Sequence, residues 1–358
     1  MTGIYIHVPF CAVKCPYCDF YSCEYRTETV KKYKSAVLRN ISALPDIKAD
    51  TIYFGGGTPS LLPAEYISKI IESIDCHVQL ISPEITIEVN PCTVTEKKLI
   101  EYKKSGVNRL SVGVQSGCID ELEFLGRKHS FEKAADAVKM AQACGFDNIS
   151  CDLMIGIKGQ TKEKLEQSVE RIISLPVCHI SSYILKIEEN TPFGKNGVST
   201  QLPDDDETAE LYLHSVRLLE KAGFKQYEIS NFSKDGFHSR HNLKYWKCEE
   251  YIGIGPSAHS YYNGERYYSP ADLESFCNLP LQEKISEPFE SGTDEEKIML
   301  GLRLKDGICP DDFPQYREKI IKKSAEYCSH GLAVFENNHL SLTPQGFLVS
   351  NSIISDII

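Results

Sequence analysis

Tyr5-Ile6-His7-Val8-Pro9-Phe10-Cys11-Ala12-Val13-Lys14-Cys15-Pro16-Tyr17-Cys18 runs a short β-rich segment straight into a C-x3-C-x2-C loop. Residues 4–8 have the β-branched and aromatic character of a strand. Outward from it, runs at 51–54, 84–89, 109–114, 148–154 and 178–185 read the same way, most of them followed by Gly, Pro or Asn. Helices are predicted between them at 29–44, 63–73, 95–105, 131–144 and 162–174. Thr95, ahead of Glu96 and Leu99, is a helix-start signal, and Gly106 and Gly145 follow helix ends. Strand–helix alternation implies a parallel sheet with right-handed crossovers. Six units are complete by about residue 190, whereas a closed eight-unit barrel usually needs about 250 residues. The sequence therefore predicts an α/β fold on a partial (β/α)6 barrel. An open doubly wound sheet is the alternative that periodicity alone leaves standing.

Beyond Pro203 the pattern changes. Residues 204–221 read as one long helix entered through Pro203-Asp204-Asp205-Asp206-Glu207, where carboxylates suit the positive end of the helix dipole. A solvated helix start accounts for these acids better than a metal site. Residues 225–268 are rich in aromatics, His and Gly, and the chain turns helical again from about 290. It closes through 331–342, Thr343-Pro344-Gln345-Gly346 and a last helix. The expected division is a barrel over 1–200, a barrel extension over 201–285 and a small α+β, winged-helix-like accessory domain over 286–358.

Apolar residues make up 42% of the 358 and charged residues 25%, which excludes a disordered or fibrous chain. A chain of this length buries about three-quarters of its unfolded surface and needs no disulfide to hold a core. Thirty-nine basic against 50 acidic side chains give a net charge of −11 without a polybasic block, against a nucleic-acid or anionic-membrane surface. No apolar run approaches eighteen residues, so no transmembrane segment is expected. No secretory signal is visible, and the expectation is a cytoplasmic protein with reduced thiols.

Fourteen cysteines are then too many to ignore. In a parallel barrel the loop after the first strand lies on the C-terminal rim, where active sites are built. Three closely spaced thiolates there can hold three irons of a [4Fe–4S] cluster and leave the fourth open. A closed tetrahedral zinc site is the rival, completed by Cys23 or His7, and spacing alone does not separate the two. Cys76, Cys118, Cys144 and Cys178 are expected to be small buried hydrophobes. Gly55, Gly56 and Gly57 follow the second strand, where backbone can approach a ligand closely. Glu88, Gln115 and Asp152 fall near the ends of the third, fourth and fifth strands, three polar groups aimed at one mouth.

The opening stretch through Phe20 resembles that of radical S-adenosylmethionine (SAM) proteins of the coproporphyrinogen oxidase-like group. So do Gly55-Gly56-Gly57-Thr58-Pro59-Ser60, Glu88-Val89-Asn90-Pro91, Ser111-Val112-Gly113-Val114-Gln115-Ser116 and Asp152-Leu153-Met154-Ile155-Gly156. Tyr227-Glu228-Ile229-Ser230-Asn231, His241-Asn242-Leu243-Lys244-Tyr245-Trp246 and Tyr251-Ile252-Gly253-Ile254-Gly255 extend the likeness over nearly the whole chain. The resemblance implies a [4Fe–4S] cluster on Cys11, Cys15 and Cys18. It also implies SAM held by Gly56, Gly57, Thr58, Glu88, Gln115, Arg127 and Asp152, with Tyr5 beside it. In such proteins an electron donor reduces the cluster, and the electron passed to SAM releases a 5′-deoxyadenosyl radical. Cys92 and Lys158 stand where the group usually has Gly and Pro, which leaves the ligands intact but alters two loops.

Two functions share this resemblance. One is oxygen-independent coproporphyrinogen III oxidation; the other is the heme chaperone of the HemW type, which binds heme and hands it to acceptor proteins. Phe20 stands where the oxidases carry a further Cys, and the cluster loop begins at residue 11 without their longer N-terminal extension. The element from His241 to Trp246 resembles the H-N-x-x-Y-W element associated with heme in the chaperones. A neutral imidazole at His241 is a competent iron ligand, and Tyr245 and Trp246 offer flat apolar surface. His238, His259 and Cys248 are further candidates nearby. These features favour the chaperone.

Overall fold

In the computed structural model, which describes residues 1–358, all six strand-forming runs of the first half pair side by side in chain order. They are β1 (Thr2–Val8), β2 (Lys48–Gly56), β3 (Gln79–Val89), β4 (Arg109–Gln115), β5 (Asn148–Ile155) and β6 (His179–Ile184), every neighbouring pair parallel. The crossovers carry α1 (Thr27–Ile41), α2 (Ala64–His77), α3 (Glu96–Lys104), α4 (Phe131–Ala143) and α5 (Lys162–Ile173). Thr95 caps α3 by accepting from the Lys98 amide (3.3 Å), and Gly106 and Gly145 take positive φ just past helix ends.

Side chains alternate across a strand, and here the two faces divide by polarity. Ile4, Ile6, Val8, Ile52, Phe54, Ile87, Leu110, Val112 and Ile149 point outward into a core of 57 buried residues shared with the helices. Helix α2 meets that core with Ile67, Ile70, Ile71 and Ile74, spaced for one helical face. Truncating any of these to Ala costs about 2–5 kcal/mol, the usual range for a buried aliphatic side chain. Tyr5, His7, Thr51, Tyr53, Glu88, Ser111 and Asp152, on the alternate face, line a polar lumen. Apolar packing therefore holds the scaffold from outside and frees the interior for chemistry.

The chain continues through α6 (Asp205–Lys221), whose acidic entry forms a capping box between Asp204 and Glu207. Strand β7 (Asn231–Ser233) runs antiparallel to β6. After α7 (Arg240–Trp246) comes β8 (Tyr251–Ile254), which pairs parallel with β1. Six parallel strands were predicted; β8 is a seventh, hidden in sequence because it is short and interrupted by Gly253. A Cβ at Gly253 would lie 2.2 Å from the His259 carbonyl, where β9 (His259–Tyr262) folds back toward β10 (Glu265–Tyr268). The result is an open twelve-stranded sheet, a partial barrel whose edges are the two-residue strands Lys225–Gln226 and Ile285–Ser286.

A separate cluster of 12 buried residues organises the C-terminal α+β unit, in which α8 (Asp294–Gly301) and α9 (Arg317–Ser329) pack with the hairpin of β11 (Ala333–Glu336) and β12 (His339–Leu342). The Ile229 amide donates to the Arg303 carbonyl (3.0 Å) and joins this unit to the barrel extension. All fourteen cysteines are free. Cys118 and Cys178 are buried, Cys144 is half-buried, and Cys76 is exposed rather than buried as its residue type suggested. No helix is long and apolar enough to cross a membrane.

Candidate functional site

The cysteine loop leaves the C-terminal end of β1, and Cys11, Cys15 and Cys18 are all free and half-exposed on it. Its shape is held locally by the Cys18 amide on the Cys15 carbonyl (3.1 Å) and by Lys14 Nζ on the Phe20 carbonyl (2.9 Å). Cys11 Sγ lies 3.6 Å from Thr58 Oγ1, which ties the loop to the end of β2. There the Gly57 amide donates to the Val8 carbonyl (2.8 Å), and a Cβ on Gly57 would come within 2.8 Å of the Phe10 carbonyl oxygen. Gly56 has φ +109°, and a Cβ on it would meet the His7 ring at 2.6 Å. Both glycines are required by this close approach of loop and strand end.

Gly57, Thr58, Glu88, Gln115, Arg127 and Asp152 converge on one polar cavity of about 90 Å³. Burial, reinforced by the Asp152 carboxylate, pushes the Glu88 carboxyl up to about 7, although Tyr53 Oη donates to it at 2.9 Å. Burial likewise pushes Asp152 up to about 6, opposed by the Ser111 hydroxyl (3.2 Å) and by Arg127. Arg127 donates from Nη2 to Tyr17 Oη (2.7 Å), while its buried Nε has no partner. Gln115 holds φ +73° at a register shift between β4 and β5, a left-handed conformation that costs about 1 kcal/mol or more for a residue with a side chain. Tyr53, Ser111 and Tyr17 were not singled out in the sequence. The first two alternate with the outward-facing residues of β2 and β4, and Tyr17 lies inside the cysteine loop itself.

Tyr5 belongs elsewhere. It stacks on Tyr53 (6.2 Å between centroids, 27°) and lines a second cavity of about 650 Å³ with His7, Phe20, Tyr21, Tyr245, Tyr251 and His259. The Tyr5–Tyr53 pair thus divides a polar cavity from an aromatic one. Phe20, 67% exposed, forms part of the aromatic wall.

His241 occupies the opposite end of the lumen from the cysteine loop. Its Nδ1 bonds Thr51 Oγ1 (2.7 Å), its Nε2 bonds Tyr245 Oη (2.8 Å), and its amide donates to Glu84 (3.2 Å). It has no exposed surface, and burial, with help from the Lys244 ammonium, lowers its pKa to about 3. Direct iron ligation, which the resemblance implied for His241, would require one of these two hydrogen bonds to break, because both ring nitrogens are engaged in a buried side chain. Tyr245 lines the aromatic cavity, whereas Trp246 does not.

Residues 5–172 match the radical SAM superfamily and residues 295–349 the HemN C-terminal domain. The chain is 35% identical to the heme chaperone HemW of Bacillus subtilis, over 99% of this chain and 98% of that protein. It is 31% identical to HemW of Lactococcus lactis, over 98% of this chain and 96% of that one. The chain belongs to the HemW family of radical SAM proteins. Among solved structures, coproporphyrinogen III oxidase (HemN) of Escherichia coli superimposes with a TM-score of 0.83 over 99% of this chain and 89% of its own, at 18% identity. That likeness carries the fold, including the C-terminal unit.

As in its superfamily, the cofactors of this HemW family member are a [4Fe–4S] cluster and SAM, and the residues present fit them. Both ring nitrogens of His7 are already engaged, by Tyr5 Oη (3.1 Å) and the Tyr21 carbonyl (3.0 Å), so it is not placed as a fourth ligand beside the three thiols. Three thiols on one loop with a position left open suit a cluster. The two buried carboxylates and the unpartnered Arg127 Nε complement a ligand that carries an ammonium, a sulfonium and a carboxylate.

Proposed function

We propose that this protein binds heme and transfers it to acceptor proteins, on a scaffold that retains the cluster and SAM. The observation that carries the reading is the aromatic cavity of about 650 Å³ beside the polar one. Its volume and flat apolar walls suit a tetrapyrrole, within the usual range of roughly 300–1,000 Å³ for cofactor pockets. Phe20, in that wall, replaces the additional cysteine of the oxidases.

Within this reading Cys11, Cys15 and Cys18 hold the cluster. Gly56 and Gly57 let backbone approach SAM, Thr58, Gln115 and Asp152 offer it polar groups, and Arg127 meets its carboxylate. Glu88 takes a cationic or hydroxyl group, and Tyr5 screens SAM from the heme side. When bound, cluster and SAM supply one-electron chemistry, for which a reduced donor protein is the remaining partner. His241 serves the heme site from below as a positioning residue, by holding Tyr245. The division into residues 1–200, 201–285 and 286–358 belongs to the same proposal, supported by the separate apolar cluster of the last unit. So does a cytoplasmic location, supported by the fourteen free thiols.

The test is anaerobic purification followed by heme titration and by transfer to a heme-free acceptor protein. Stoichiometric heme uptake and release to the acceptor are expected. Repeated turnover of coproporphyrinogen III with SAM and reductant would instead identify an oxidase and overturn the proposal.

A further inference from the structure

Three imidazoles stand at or beneath the aromatic cavity, and their hydrogen bonds separate them. His7 has both nitrogens engaged, Nδ1 with Tyr5 Oη (3.1 Å) and Nε2 with the Tyr21 carbonyl (3.0 Å). His241, below the floor, is engaged by Thr51 and Tyr245. His259 differs. It lines the cavity, its side chain is 59% exposed, and no hydrogen bond occupies either ring nitrogen. Its Nδ1 faces the Glu287 carboxylate at 3.7 Å, and its ring stacks on Tyr268 (5.4 Å, 28°). The backbone beneath is fixed, because His259 pairs with Tyr268 across the β9–β10 hairpin and its carbonyl abuts Gly253.

A carboxylate behind an imidazole whose other nitrogen is free is the arrangement that orients metal-binding histidines and raises their basicity. We propose that His259 is the axial ligand of the cargo heme iron in the aromatic cavity, oriented by Glu287; this rests on the heme-binding reading above. Tyr5, Phe20, Tyr245 and Tyr251 supply the apolar faces for the macrocycle. Lys14, which donates to the Phe20 carbonyl, and Lys186, paired with the lining residue Glu188 (2.8 Å), bring two ammonium groups to the propionates. Asp19 and Glu188 also line the cavity, so the propionates point outward, toward those lysines and solvent.

The test is a ferric heme titration of the cluster-loaded full chain, followed by absorption and electron paramagnetic resonance. The proteins compared are the wild type, His259→Gln, His259→Ala, Glu287→Gln and His241→Gln. Both His259 variants should lose the imidazole-ligated signature and bind heme at least about tenfold more weakly, with added imidazole restoring the spectrum. Glu287→Gln should shift the spectrum less, and His241→Gln should keep the wild-type ligation signature. Unchanged cluster absorbance and circular dichroism show that the variants fold. Heme binding by both His259 variants with wild-type spectrum and affinity overturns the ligand assignment while leaving the chaperone reading intact. A wild type that binds no heme overturns the chaperone reading itself, and the ligand with it.

Discussion

The two cavities on either side of the Tyr5–Tyr53 pair are built on opposite principles. Apart from Arg127, which the loop after β4 supplies, the polar one takes its groups from the C-terminal halves and ends of consecutive strands β2 to β5, where the parallel sheet delivers them. The aromatic one is assembled from the second half of β1, the end of the cysteine loop, the segment after β6, helix α7, the start of β8 and the turn into β9. The first combines two buried carboxylates of raised pKa with an arginine, a site for a small zwitterionic cation. The second is large and open, walled by the aromatic rings of Tyr5, Phe20, Tyr21, Tyr245 and Tyr251, with a single unengaged imidazole. A fold that segregates charge from flat apolar surface within one lumen can hold two chemically unlike ligands at once.

The strongest way to break this comparison is to remove one side. Cys15→Ser should abolish cluster absorbance and weaken SAM binding by more than about a hundredfold, beyond the loss of an outer partner alone. The heme titration should stay unchanged, because Cys15 does not line the aromatic cavity. Parallel loss of heme binding would mean that the cavities are one site.

A smaller effect is expected from charge in the polar cavity. With Glu88 near 7 and Asp152 near 6, both carboxylates are ionised at pH 8 and largely protonated at pH 5.5. A cationic ligand prefers the ionised pair, so SAM affinity should fall as pH drops from 8 through 7 and 6, with proton release on binding in that window. Asp152→Asn should cost about 1.5–3 kcal/mol of binding at pH 8 and flatten the pH profile. Calorimetric titration in buffers of different ionisation enthalpy measures both. A SAM affinity independent of pH would remove the carboxylates from the contact.

Sequence legibility follows the same division. The six strands, their order and the convergence of Glu88, Gln115 and Asp152 were readable because a parallel strand places its last residues on the rim. The seventh strand was not, since four residues around Gly253 carry no periodic signal and owe their pairing to contact with β1. The depth of His241 was not legible for a related reason. Residue type and a local motif give no depth, and whether α7 lies at the rim or beneath the lumen depends on tertiary anchors such as Arg240 on Asp50 (3.2 Å) and Lys244 Nζ on the Met1 carbonyl (2.8 Å). Tyr53 could have been found from the alternation of β2, whereas His259 was already a candidate near the His241 element and is set apart from the other histidines of the cavity by the hydrogen bonds it lacks.

The finest test concerns the floor shared by barrel and heme cavity. Thr51→Val keeps the side-chain shape while removing the hydroxyl that occupies His241 Nδ1, and Thr51 itself is fully buried. With its pKa lowered to about 3, the imidazole stays neutral throughout the physiological range, so protonation cannot substitute for the lost partner. The orphaned nitrogen should cost about 1–3 kcal/mol of stability in urea denaturation at pH 7. The polar cavity lies on the far side of Tyr53, so SAM binding should not respond. Heme affinity should fall by roughly two- to fivefold, because an unanchored imidazole no longer fixes the Tyr245 hydroxyl 2.8 Å away. A stability loss with unaltered heme affinity would show that Tyr245 keeps its position without His241, and the positioning role would then be lost.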